Sequence, residues 1–251
     1  MHRFYAPNIK SDFTLPQDEA HHCVKVLRLG VGDEIEVVDG DGGLYLCRVA
    51  SDNPKHCLVE IVSEKHEKPH WQHRIVLSVA PTKNIDRMEW MAEKVTEMGV
   101  DEIIPLLCDN SERRVLKTER LRKILVSAMK QSLKSTLPVL RELTPLAGVL
   151  SEARSFSGQK FIAYCDPSLP RAERVNFFNR YAAGSDVMLM VGPEGDFSPE
   201  EVKSALEAGF EPVTLGESRL RTETAAVMCC AACHVADTRC QSPEYEKETK
   251  I

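Results

Sequence analysis

Two glycine-bearing segments carry residues and bare backbone of a kind that could do chemistry. The first reads Val191-Gly192-Pro193-Glu194-Gly195-Asp196-Phe197. The second reads Leu215-Gly216-Glu217-Ser218-Arg219-Leu220-Arg221-Thr222-Glu223-Thr224-Ala225. Apolar runs at 187–191 and 212–215 lead into them. Glycine at a strand end permits a sharp turn and lets a ligand reach peptide groups. Two such turns at one edge of a parallel sheet would form a small-molecule pocket. Arg219, Arg221 and Glu223 alternate with Leu220 and Thr222, which sets charge beside that pocket. A guanidinium there could stabilise a developing anion, and a carboxylate could take a proton. A loop braced by ion pairs is the bland alternative; charge this dense beside two glycine turns favours function.

Other chemistries fit less well. No Gly-Lys-Ser/Thr follows either turn, and neither reads Gly-x-Gly-x-x-Gly, so phosphate-loop and dinucleotide fingerprints are absent. Cys230-Ala231-Ala232-Cys233-His234 matches a haem-attachment string. Haem attachment needs an exported chain, and Met1 to Pro7 lacks the apolar stretch of a signal peptide. The surrounding Ala225, Ala226, Met228, Cys229 and Ala232 read instead as a tightly packed helix. His66, His70 and His73 lack carboxylate or cysteine partners at ligand spacing, so no metal is expected.

These segments must be positioned by an alternating scaffold. Ile75–Val79 is a buried-strand run, and Met88, Met91, Ala92, Val95 and Met98 then recur at helical spacing before Gly99. Further strands are expected at 102–107 and 160–165, with helices at 118–133 and 223–236. Ser198-Pro199-Glu200-Glu201 is a helix start, with Ser198 and Glu201 forming a capping box. This is an α/β pattern with a parallel sheet. Residues 1–70 read as β: two strand runs flank Asp41-Gly42, a hairpin signal, and Cys57 to Val62 adds a third. A short helix is expected from His21 to Leu29. Short strands with tight turns suggest a small barrel. Residues 63–73 are polar and read as a linker. The expected organisation is a β domain over 1–70, a second domain over 74–236 and a charged, fraying tail over 237–251.

The chain has 251 residues, 43% of them hydrophobic, and lacks an apolar run long enough for a spanning helix. A cytoplasmic, membrane-free protein is expected, with its nine cysteines mostly buried thiols. The net charge of −6 argues against a uniformly basic nucleic-acid binder. Between Arg113 and Arg141, however, nine cations face Glu119 alone. That stretch is either an anion-facing surface or a solvated helix face.

The joint motif, Met-Val-Gly-Pro-Glu-Gly-Asp-Phe followed by Leu-Gly-x-x-x-Leu-Arg-Thr-Glu-Thr-Ala, resembles the bacterial RsmE-type rRNA uridine N3-methyltransferases of the SPOUT superfamily. Lys83 and the run from Met88 to Val100 resemble that family's first helix. His2-Arg3-Phe4-Tyr5 and Val26-Leu27-Arg28-Leu29-Gly30, with Gly32-Asp33, resemble its PUA-like N-terminal domain. The resemblance implies a trefoil-knot parallel sheet, a homodimer through the C-terminal domain, and S-adenosylmethionine as cofactor. It implies cofactor contacts from Tyr164, Val191, Gly192, Gly195, Leu215, Gly216, Leu220 and Thr222, with Cys165 bordering the pocket. It departs at Ser218 and Arg219, where the family has arginine and isoleucine, and at Ser132-Leu133-Lys134, where it often has Ser-Gly-Arg.

The implied reaction is methyl transfer to N3 of a uridine in 16S rRNA, with the small ribosomal subunit or its RNA as partner. Arg221 is the candidate for stabilising the uracil anion, and Glu223 and Glu194 are candidate bases. Either glutamate could instead brace its loop. Arg3, Arg28, Arg113, Arg114, Lys130 and Lys134 are the candidate RNA contacts. A ribose 2′-O-methyltransferase and a non-catalytic RNA-binding module are the alternatives.

Overall fold

The computed structural model describes residues 2–164, 170 and 173–240. By contacts the chain divides into two units: Met1–His70 with Leu125–Leu137, and Trp71–Ile124 with Pro138–Ile251.

The first unit is a mixed sheet of strands β1 (Arg3–Tyr5), β2 (Glu34–Val38), β3 (Gly43–Ser51) and β4 (Leu58–His66), in that order. β1 runs parallel to β2, and the other pairs are antiparallel. Along β3, Cys47 and Val49 point inward while Arg48 and Ala50 are exposed, the period-two pattern of a half-buried strand. The Asp41-Gly42 turn forms as expected. Gly40 and Gly42 take φ of 91° and 95°, and Asp39 Oδ1 accepts from the backbone N–H of Asp41 and Gly43. Two register shifts between β3 and β4 mark bulges, which bend a sheet around its core. That core contains Phe4, Ile9, Cys23, Ile35, Val37, Tyr45 and Cys47. Helices α1 (Ile9–Asp12) and α2 (Gln17–His21) cover it, and a π-type turn over His22–Val26 follows. The single helix expected from His21 therefore starts earlier and ends sooner, at Arg28 with φ of 59°. Residues 125–137 join this unit because Met129 is fully buried against Val38 and Leu44.

The second unit alternates strand and helix. In chain order it contains β5 (Ile75–Val79), α3 (Ile85–Met98), β6 (Glu102–Leu107) and the start of α4 (Thr118–Gln131). Then come β7 (Val139–Leu140), β8 (Thr144–Pro145), α5 (Leu146–Ala153) and β9 (Gln159–Ala163). The chain ends through α6 (Phe177–Arg180), β10 (Val187–Val191), α7 (Pro199–Glu207), β11 (Glu211–Val213) and α8 (Thr222–Cys240). The strand order is β11-β9-β10-β5-β6-β7, with β8 beside β6, and every pair is parallel. β5 and β10 are buried at every position, as a sheet covered on both faces requires. Because the strands run one way, the segments after β5, β6, β9, β10 and β11 all emerge at a single edge. That edge receives both glycine turns.

Two boundaries differ from the sequence expectation. The expected linker is largely structured: β4 continues to His66, and Trp71 is buried with its Nε1 donating to Asp101 Oδ2 at 3.0 Å. The helix expected to end near Ala236 runs to Cys240, because Asp237 is buried and paired. Its carboxylate accepts from Gly184 N–H at 2.8 Å and lies 3.1 Å from His73 Nε2. Residues 241–251 of the expected tail lie outside the described residues. Among the described residues, no helix is long and apolar enough to cross a membrane.

Candidate active site

The first glycine turn is shaped by packing. A side chain at Gly192 would meet the Phe197 ring at 2.8 Å, and one at Gly195 would meet Asn110 Cβ at 3.0 Å. Asn110 Nδ2 donates to the carbonyls of Gly195 and Asp196 at 3.2 and 3.0 Å. These bonds steady Asp196 at a φ of 61°, a left-handed conformation that side-chain-bearing residues rarely hold. The capping box forms in full, with Ser198 and Glu201 each accepting from the other's backbone N–H. Glu201 Oε1 also accepts from Asp109 N–H at 2.8 Å. The turn is thus built from its own helix cap and from the loop after β6. The family resemblance assigns both glycines to the cofactor, but their close neighbours are protein side chains.

The second turn has the opposite character. Gly216 has a φ of 117° and open space where a side chain would stand. Among the described residues, no backbone N–H from Leu215 to Arg221 donates a hydrogen bond. Leu215 and Leu220 are half-buried, and Glu217, Ser218, Arg219 and Arg221 are exposed. A run of unused peptide donors between two leucines suits a flat, heteroatom-rich ligand. The two turns are tied together by Thr222, whose buried Oγ1 donates to the Gly192 carbonyl at 3.0 Å. Val191 is buried at the end of β10, and Tyr164 follows β9 with its N–H donating to Val213 O at 3.1 Å. Cys165 lies outside the described residues.

The charged candidates separate into distinct roles. Arg221 is exposed, immediately before α8, and its carbonyl accepts from Ala225 N–H. Glu223 is only 7% exposed, in the first turn of α8. Its ion-pair partner is not the neighbouring Arg221 but Arg87 of α3, Nε to Oε1 at 3.6 Å. The reason is that α3 packs along α8, whereas Arg221 precedes the helix and points to solvent. Glu194 Oε1 accepts from Lys83 N–H at 3.0 Å, while its Oε2 is buried without a partner. Lys83 Nζ lies 2.8 Å from Glu112, and that hydrogen bond holds its ammonium above the usual lysine range.

Several candidate RNA contacts are engaged within the protein. Arg113 donates to the carbonyls of Thr82 and Lys83 at 3.0 and 2.6 Å, bracing the loop after β5. Lys130 pairs with Glu19, and Arg3 pairs with Glu36 at 2.8 Å across β1 and β2. Arg120 and Arg141 are also spent on Glu89, Glu102 and Glu152. Lys134 is half-buried. Exposed cations remain at Arg28, Lys117 and Arg122, and at Arg114, whose guanidinium also donates to the Asp109 carbonyl at 3.4 Å. The basic stretch is visible in sequence, but its internal partners lie too far along the chain to be read there.

The haem-like string is part of the α8 packing surface. Cys229, Cys230 and Cys233 are buried, and burial pushes all three thiols up, Cys229 to about 12. His234 Nε2 lies 2.7 Å from the Gly99 carbonyl, and its ring meets Trp71 edge-on. Among the described residues, no group of three or more His, Cys, Asp or Glu side chains could hold a metal ion.

A parallel sheet with unused peptide donors at its carboxyl edge defines an α/β domain built to bind a small molecule. A family model described as an RNA methyltransferase domain matches residues 69–234, and one described as an RNA methyltransferase PUA domain matches residues 15–62. The chain belongs to this RNA methyltransferase family. It is 30% identical to a ribosomal RNA small subunit methyltransferase E of Synechocystis, over 89% of this chain and 73% of that one. It is 28% identical to the protein of that name from Rickettsia conorii, over 92% and 93%. A crystal structure of a probable rRNA-methyltransferase from Porphyromonas gingivalis shares 43% identity at a TM-score of 0.88, covering 95% of this chain and 99% of that one. The Neisseria gonorrhoeae ribosomal RNA small subunit methyltransferase E, bound to S-adenosyl methionine, shares 28% identity at a TM-score of 0.77, covering 94% and 97%. The fold class is the one the resemblance implied: an α/β SPOUT-type parallel sheet, with a PUA domain ahead of it in the chain.

Proposed function

We propose that this protein transfers the methyl group of S-adenosylmethionine to N3 of a uridine in small-subunit (16S) ribosomal RNA. The observation that carries the reading is the Leu215–Arg221 run of unused peptide donors beside the first glycine turn, in a chain of this family. The residues fit the cofactor. Leu215 and Leu220 offer apolar contacts, the backbone offers donors, and Gly216 leaves room for close approach. When bound, S-adenosylmethionine supplies a methyl group already activated on a cationic sulfur.

The chain's own work is orientation and charge. N3 lies on the pairing edge of uracil, so the target base must be unpaired or flipped out. Losing the N3 proton spreads negative charge over the uracil oxygens. Arg221 is exposed where it can meet that charge, and the N-terminus of α8 adds its partial positive charge. Glu223 takes the N3 proton. Glu194 holds the loops after β5 and β10 together rather than reacting.

RNA is held through phosphate and shape contacts from exposed cations, with Arg114, Lys117 and Arg122 the best placed in the second unit. In the first unit Arg28 serves this purpose. The protein acts in the cytoplasm, where ribosomal RNA is assembled. It forms a homodimer through its C-terminal domain; Val235 of α8 is 58% exposed and would be covered there. A modification map of ribosomal RNA from cells lacking this protein tests the reading. One N3-methyluridine should vanish from the small subunit. A missing 2′-O-methyl group, or an unchanged map, would overturn it.

A further inference from the structure

The ion pair between Arg87 and Glu223 joins the first turns of α3 and α8, and α8 begins directly after the second glycine turn. Glu223 is 7% exposed, and Arg87 is the cation within reach of it among the described residues. The other charges on elements packed against α8 are already committed. On α3, Asp86 and Glu89 face Arg120, while Lys94 joins Glu93 and Glu97. β5 and β10 carry no ionisable side chain, and Arg180 of α6 is held by Glu211. Arg221, just before α8, is exposed, and on α8 itself Asp237 is turned to His73 near the far end. Burying one member of an ion pair is costly unless its partner lies beside it, so the Arg87 guanidinium offsets the burial of Glu223.

We propose that Arg87 is a positioning residue for the methyl-transfer step, pairing with Glu223 and holding its carboxylate aimed so that it can accept the uridine N3 proton. This rests on the uridine N3 reading above. The N3–H bond breaks and its proton moves to a Glu223 oxygen. The electron pair left on N3 forms the new bond to the methyl carbon, the carbon–sulfur bond breaks, and its electrons stay on sulfur. Glu223 then gives its proton to water. Arg87 touches neither substrate and acts only through the carboxylate.

The test uses full-length R87M, R87K, E223Q and the R87M/E223Q double variant. Three quantities are measured: thermal melting without cofactor, S-adenosylmethionine affinity by calorimetry, and single-turnover methylation of a small-subunit rRNA fragment against pH. Melting should show coupling, with R87M costing less when Glu223 is already Gln. Cofactor affinity should stay within about threefold of wild type, a small change on the tenfold-per-1.4 kcal/mol scale. The acid limb of the R87M rate profile should move up by about one pH unit or more, the low end of what one adjacent opposite charge is worth. The R87M defect should therefore shrink as pH rises, and R87K should lie between R87M and wild type. A merely structural role predicts a deficit equal at every pH. An R87M profile parallel to a wild type that does make N3-methyluridine overturns this proposal alone. A wild type that makes none overturns the reading and the proposal together. If R87M does not fold, R87K decides: a profile identical to wild type counts against the proposal, and a shifted acid limb supports it.

Discussion

The two glycine turns should respond to the same substitution in opposite ways. Gly192 is buried, and a methyl group there would sit 2.8 Å from the Phe197 ring. Overpacking of this kind costs about 1–3 kcal/mol of stability. At about 2–4 °C per kcal/mol for a domain of this size, Gly192→Ala should lower the melting temperature by roughly 2–12 °C. Gly216 has open space around it but a φ of 117°. An alanine cannot hold that conformation without about 1–3 kcal/mol of strain. The loop is exposed and lightly tied, so it will relax to another conformation and leave the fold intact. The strain is then felt on binding, as a roughly 5–150-fold loss of S-adenosylmethionine affinity at 1.4 kcal/mol per factor of ten. Scanning calorimetry and titration calorimetry on the two variants measure both quantities. Gly216→Ala binding the cofactor with wild-type affinity would refute the assignment of the second turn. Gly192→Ala melting at the wild-type temperature would refute the packing role of the first.

Arg221→Ala should lower kcat by roughly 10²–10³, the range for losing one such donor, with near-normal cofactor affinity; a kcat within about twofold of wild type would remove Arg221 from the mechanism. Arg114→Glu with Arg122→Glu should weaken rRNA binding and flatten its salt dependence, by about one unit of slope for each phosphate no longer neutralised. Lys130→Met should instead lower the melting temperature, because it leaves Glu19 unpaired. Burial pushes the Cys23, Cys47 and Cys229 thiols up to about 12, about 11 and about 12, from an ordinary value of 9.0. The unfolded chain releases those protons first, so stability is full below about pH 9 and falls as pH rises towards 11–12. Melting temperatures from about pH 8 to 10.5 measure this, and a flat profile would contradict it. Iodoacetamide on the native protein should label Cys240, the one exposed cysteine among the described residues, before any of these.

Local rules carried the scaffold of the second unit. The capping box at Ser198 and Glu201, the stop at Gly99 and the fully apolar runs of β5 and β10 each depend on neighbours within a few residues, and each could be read directly. What stayed hidden depends on partners far along the chain. β1 has three residues and exists only because β2 pairs with it. Trp71 and His73 look like linker residues until Asp101 and Asp237 are found beside them. At the candidate site, the glycine turns and Arg221 stood out by type and spacing. The Arg87 partner of Glu223 did not, since nothing in the spacing links residues on α3 and α8. Gly192 and Gly195 look alike with Gly216 in sequence. Only the structure separates glycines that admit a neighbouring side chain from one that sets a backbone angle.

The central claim is a methyl group placed on uridine N3. Purified protein should be incubated with small ribosomal subunits lacking the modification and with methyl-labelled S-adenosylmethionine. The RNA is then digested to nucleosides and separated by chromatography with mass detection. The label should appear in N3-methyluridine and depend on Arg221. Label in a 2′-O-methylnucleoside, or none in RNA from a protein that binds the cofactor, would contradict the account.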